Sequence, residues 1–97
     1  MTAQEGKALL FRLKEIKDVL GGPVKVRSIM EHGFSFIPDC MTVPDAFCKL
    51  YNSTIQYNTL RLCETPAHQY WLEITFTEIP LRKTLYWNGK KFKEYSK

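Results

Sequence analysis

Apolar and polar positions recur along this chain with two different periods. In KALLFRLKEIKDVLGG (7–22), Leu9, Leu13, Ile16 and Leu20 stand at i, i+4, i+7 and i+11, the spacing of one helix face. Lys7, Lys14, Lys17 and Asp18 fall mainly away from that face. TAQE at residues 2–5 has the form of a capping box, in which Thr2 accepts a backbone N–H and Glu5 reaches back. Gly21 and Gly22 suit the left-handed geometry that ends a helix, and Pro23 blocks continuation. The spacing predicts a helix from about residue 3 to residue 20.

The period then falls to two. VKVRSI (24–29) sets Val24 and Val26 opposite Lys25 and Arg27; after an EHG turn, FSFI (34–37) offers Phe34 and Phe36 as a second inward pair. A short helix over about 44–52 is marked by Pro44 and Asp45, followed by Phe47, Leu50 and Tyr51. YNTLRLCE (57–64) reads as a strand with Leu60 and Leu62 inward. QYWLEITFTEI (69–79) reads as another, with Tyr70, Leu72, Ile74 and Phe76 on one face and Trp71, Glu73, Thr75 and Thr77 on the other. Pro80 interrupts before LRKTLYW, and Asn88-Gly89 is a hairpin turn that KFKEY follows. The layout α-β-β-α-β-β-β-β is α+β: an antiparallel sheet of about five to six strands packed on a long N-terminal amphipathic helix, plus one short helix.

Composition sharpens this picture at three points. Ninety-seven residues, 44% of them apolar, with two Trp, five Tyr and six Phe, suffice for one core, so 1–97 reads as a single α+β domain. No apolar run approaches the roughly 20 residues of a membrane span, and no secretory leader pattern opens the chain, so the expected location is the cytoplasm. The net charge of +4 is unevenly placed. From Leu81 onward six basic residues meet one acid, net +5; residues 1–80 hold eight basic and nine acidic residues, net −1. The positive excess belongs to a basic C-terminal hairpin at 81–97.

Candidate chemistry is sparse. The possible zinc ligands His32, Cys40, Cys48, Cys63 and His68 are separated by seven, seven, fourteen and four residues, unlike the close pairs of a zinc knuckle. No nucleophile elbow, P-loop or dinucleotide fingerprint is present. Cys63 and His68 would sit across a turn with nothing to orient the imidazole. The expectation is a non-enzymatic protein with no metal and no cofactor.

Binding features are richer. Lys90, Lys91 and Lys93 surround the Asn-Gly turn, with Tyr86, Trp87, Phe92 and Tyr95 interleaved. Such a strip can stack bases and hold phosphate. Alternatively, the lysines shield an edge strand while Leu85 and Trp87 pack inward. The TPAHQYW corner (65–71) sets an X-Pro bond at Thr65-Pro66 beside His68 and Trp71, and an exposed Trp71 would anchor an interface. The expected partner-binding residues are Pro66, His68, Trp71, Arg82, Lys83, Tyr86, Lys90, Lys91 and Lys93.

Taken whole, the chain resembles the small anti-RecBCD proteins of lambdoid phages. The likeness lies in its length, the opening TAQEGKALLFRLKEIKDVLGG, the VPDAFCKLY segment and the TPAHQYW corner. The resemblance implies a phage protein of the host cytoplasm that binds the host RecBCD nuclease-helicase and redirects or blocks it. It also implies a host prolyl isomerase as an additional partner, for which the Pro66 loop is the accessible site. Two other classes stay open on these residues: a direct single-stranded nucleic-acid binder using the basic aromatic hairpin, and a small RNA-cleaving toxin.

Overall fold

The structure is a computed structural model; residues 3–95 are described, without the side chain of Glu5. The expected Thr2–Glu5 capping box therefore lies outside the described residues. The order of elements is α1 (Ala3–Leu20), β1 (Val24–Met30), β2 (Gly33–Pro38), α2 (Val43–Tyr51), β3 (Thr59–Glu64), β4 (Tyr70–Thr75), β5 (Lys83–Trp87) and β6 (Phe92–Glu94). The class is α+β, as the periodicity predicts. The six strands form one sheet in the order β1-β2-β4-β3-β5-β6.

Local chemistry fixes the ends. Gly21 takes φ +76° and closes α1 with its N–H on Lys17 O at 2.8 Å. At the start of α2, the Thr42 hydroxyl accepts from the Asp45 N–H at 3.2 Å, and Asn52 closes the far end on Cys48 O. Gly33 is required by close approach: a Cβ there would collide with the Ile74 carbonyl and lie 2.8 Å from Thr75 Cα.

Both helices lie on one face. Phe34, Phe36, Leu60, Leu72 and Ile74 point toward them and share a core with Ile16, Leu20, Ala46, Phe47 and Leu50. The division of labour differs from the expectation of one long covering helix. Short α2 buries Val43, Ala46, Phe47 and Leu50, whereas α1 fully buries Ile16 and Leu20 and leaves Leu10 and Phe11 exposed.

Three further departures have physical causes. The sheet is mixed, because β5 runs parallel to β3 while every other pairing is antiparallel. The strand expected over 69–79 stops at Thr75. Phe76 N–H donates to His32 O, and Thr77 Oγ1 donates to Ile79 O as the chain turns away. Residues 76–82 then step across the start of β3, and Lys83 enters the sheet beside Thr59. A short link suffices because β4 ends and β5 begins at the same end of the sheet. Second, a bulge lies between Val26 and Ser28, so Arg27 is an extra residue in the edge strand. Third, Thr84 and Tyr86 face the helices and Leu85 and Trp87 face away, opposite to the inward packing expected of Leu85 and Trp87.

The buried Thr84 is satisfied by the Tyr57 hydroxyl at 2.8 Å. Arg82 secures the same corner. At φ +49°, it donates from its guanidinium to the carbonyls of Ser53 (3.0 Å), Ile55 (2.6 Å) and Tyr51 (2.9 Å), and its guanidinium carbon lies 4.8 Å from the Tyr57 ring centroid. Replacing Arg82 with Ala leaves those carbonyls without their donor. We expect a loss of about 2–4 kcal/mol in urea unfolding, several times that of Lys83→Ala on the exposed neighbour.

Candidate protein interface

The parallel pair decides what comes together. Because β3 and β5 run the same way, the β3–β4 turn (65–69) and the β5–β6 turn (88–91) lie side by side at one end of the sheet. Strands are spaced by about 4.8 Å, so the midlines of the two turns lie roughly 10 Å apart. Pro66, His68, Trp71, Tyr86, Lys90, Lys91 and Lys93 thus share one end. Lys83, which begins β5, and Arg82 just before it stand at the other. Arg82 was expected among the partner contacts, yet its guanidinium is engaged inside the fold.

Each turn is locally locked. Thr65 N–H donates to Gln69 O at 2.9 Å, His68 N–H to Thr65 O at 2.9 Å, and His68 sits at φ +59°. The described peptide bonds are all trans, including Thr65–Pro66, and Pro66 is exposed. His68 Nδ1 is 2.6 Å from Glu64 Oε1. The same carboxylate accepts from the Tyr70 hydroxyl, whose pKa is raised chiefly by that bond. In the other turn Gly89 has φ +94°, while Asn88 acts through its side chain, whose Oδ1 accepts from the N–H groups of Lys90 (3.0 Å) and Lys91 (2.9 Å). Lys90, Lys91 and Lys93 are exposed, and Lys93 pairs across the hairpin with Tyr86 on the helix side. There, Tyr86 and Tyr95 stand edge to face at 6.3 Å, and Tyr95 packs on Phe47 and Tyr51.

The opposite face carries neither helix. Its central row, read directly from the register, is Ser28, Ser35, Glu73, Arg61, Leu85 and Glu94. One step toward the paired turns, Ile37, Trp71, Cys63, Trp87 and Phe92 form an aromatic row. The rows are knitted together by a chain of contacts. The Arg27 guanidinium lies 4.3 Å from the Trp71 ring centroid, and the Trp71 indole N–H donates to Glu73 at 3.1 Å. Glu73 meets Arg61 at 3.3 Å, and Arg61 lies 4.0 Å from the Phe92 ring centroid. Phe92 and Trp87 stand edge to face at 5.3 Å. The bulge matters here: it lets Arg27 and Ser28 both face this side, Ser28 to reach Ser35 at 2.6 Å and Arg27 to cover Trp71. The Nε of Arg61 is buried with no hydrogen-bond partner, an arrangement that costs stability rather than adding to it.

Trp71 was expected among the partner-binding residues, as an anchor if exposed. It stands on the helix-free face, half-buried under Arg27. Sequence reasoning missed Arg27, Arg61 and Cys63 as parts of this face; their alternation with Trp71 and Glu73 was visible, but the pairing of strands was not.

Burial, with Glu73 nearby, pushes the Cys63 thiol up to about 12, so it is no thiolate nucleophile at neutral pH. Among the described residues no group of three His, Cys, Asp or Glu is placed to hold a metal. Among the described residues no helix is long and apolar enough to cross a membrane. Compared with known protein families, characterised proteins and solved structures, the chain matches none.

The thiols supply a check on this face. Cys40 and Cys48 are exposed and Cys63 is buried. A disulfide exchange reagent at pH 8 is expected to titrate two thiols rapidly in the native chain and the third only on unfolding. The raised pKa of Cys63 also stabilises the fold below about pH 9, and that contribution is lost as pH climbs from 9 toward 12. Rapid titration of three native thiols would contradict the burial of Cys63 in this row.

Proposed function

We propose that this chain is a non-enzymatic protein that docks its helix-free aromatic face and the two adjoining turns on a host DNA-processing nuclease-helicase of RecBCD type, in the host cytoplasm, and blocks or redirects it. The observation that carries the reading is the row Ile37, Trp71, Cys63, Trp87 and Phe92, set beside Arg27 and Arg61 and left uncovered by either helix. Aromatic and Arg side chains dominate interface hot spots because they bury large areas with little loss of freedom. Lysines at the neighbouring turn would steer approach to an acidic protein surface. The nature of the target comes from the resemblance in TAQEGKALLFRLKEIKDVLGG, VPDAFCKLY and TPAHQYW. Pro66, exposed at the tip of its turn, is the site that the resemblance offers to a host prolyl isomerase.

Single-stranded nucleic acid is the second reading, favoured by Lys90, Lys91 and Lys93 beside Trp87 and Phe92. Two features weigh against it. Arg27 and Arg61 already occupy ring faces of Trp71 and Phe92 on which bases would stack. Glu73 and Glu94 stand in the next row, where a phosphate backbone would pass.

Binding to the purified nuclease-helicase separates these readings. Trp71→Ala is expected to weaken capture roughly 10- to 100-fold with helical and strand signals in circular dichroism retained. Changing Lys90, Lys91 and Lys93 together to Glu should slow association and flatten its salt dependence. Unchanged affinity in both folded variants would remove this surface from the interface. Tight, steeply salt-dependent binding to naked oligonucleotides would establish the second reading instead.

A further inference from the structure

A second surface lies on the helix side of the sheet, between the N-terminal half of α1 and the edge strand β1. Ile16 and Leu20 pin the C-terminal half of α1, at 0% and 2% exposure. The N-terminal half of α1 and β1 line the sides of a common gap. The result is an apolar groove of about 390 Å³, lined mainly by Leu9, Leu10, Leu13, Val26, Ile29 and Phe34. Ala3 and Gly6, with little side chain to fill it, also line the groove. Leu10 is 67% exposed and Ile29 62%. Large aliphatic side chains this open, on facing sides of one groove, are costly in water and mark a contact surface.

Charge identifies what covers it. Lys7 lines the groove, and Leu10, Lys14 and Lys17 follow at i+3, i+7 and i+10, along one flank of α1. All three lysines are exposed, and none takes part in the ion pairs formed among the described residues. A second copy of this chain fits poorly, because a two-fold contact would set the lysine flank against itself. An added strand also fits poorly, because β1 is broken by the bulge at Arg27 and carries Lys25 and Arg27. The span from Lys7 to Lys17 corresponds to about 15 Å of helix, or three turns.

We propose that this groove docks an acidic amphipathic helix of a partner protein, about three turns long. Its aliphatic face sits on Leu10, Val26, Ile29 and Phe34, and its carboxylates face Lys7, Lys14 and Lys17. The inference rests on reading the chain as a protein-binding module, but not on the identity of the nuclease-helicase. It gives the molecule two separate docking faces, one on each side of the sheet.

The test uses the full chain and a synthetic peptide of about 15 residues, with leucines at i, i+3, i+4 and i+7 and glutamates at most other positions. Two comparison peptides carry the same residues in scrambled order, or lysines in place of the glutamates. In an amide NMR titration the patterned acidic peptide should produce saturable shifts centred on Leu10, Val26 and Ile29. Its affinity should exceed that of either comparison peptide by about 10-fold or more. Ile29→Glu should abolish those shifts, and Lys7, Lys14 and Lys17 changed together to Glu should transfer the preference to the lysine peptide. Equal binding of the scrambled peptide, shifts confined to the Trp71 face, or no saturable binding would overturn the proposal. So would sedimentation showing an Ile29-dependent dimer that fills the groove. The Ile29→Glu chain also separates this inference from the proposed function: if it still captures the nuclease-helicase, the Trp71 face acts independently.

Discussion

The architecture turns on the guanidinium of Arg82. Three carbonyls, those of Tyr51, Ser53 and Ile55, converge on it from the end of α2 and the irregular segment that follows. Carbonyl oxygens turned inward need a donor, and a planar group with five N–H bonds can serve three at once where a lysine could not. The backbone of the same residue donates to Tyr57 O at 3.0 Å, and the next N–H reaches Asn58 O. Arg82 therefore joins the segment entering β3 to the segment entering β5. Tyr57 and Thr84 close the corner with a buried hydroxyl pair.

That corner sets the surface chemistry at the far end of the sheet. Once β5 starts beside β3, the two strands must finish together, and their following turns must be neighbours. The same register brings Trp87 and Phe92 beside Cys63 and Trp71, so residues sixteen or more positions apart become one aromatic row. The bulge at Arg27 completes the face from the other edge. Both helices lie on the opposite side, so neither of them covers this row.

Much of this was legible in the sequence. The helical period of α1 with its Gly-Gly-Pro ending, the short helix after Thr42 and the hairpin at Asn88-Gly89 depend on nearby residues and were readable. The parallel pairing was not, because it depends on Arg82 meeting carbonyls about thirty residues away. The facing of β5 was misleading for a related reason. In KTLYW the apolar Leu85 and Trp87 suggest an inward pair, yet Thr84 is the buried residue because the Tyr57 hydroxyl waits for it. Of the expected partner-binding residues, Pro66, His68, Trp71, Tyr86, Lys90, Lys91 and Lys93 converge on one end of the sheet. Arg82 and Lys83 are the exceptions, at the other end; a basic residue such as Arg82 looks the same in sequence whether it faces solvent or holds the fold.

The most direct test of the central claim is amide hydrogen exchange of the intact chain, alone and bound to a purified RecBCD-type nuclease-helicase. The account predicts added protection at Cys63, Trp71, Trp87 and Phe92 and in the 65–69 and 88–91 turns. Protection there requires the helix-free face and both turns to be covered together. A complex that leaves these amides unchanged would contradict the assignment of this face as the interface, and failure to form any complex would contradict the choice of target.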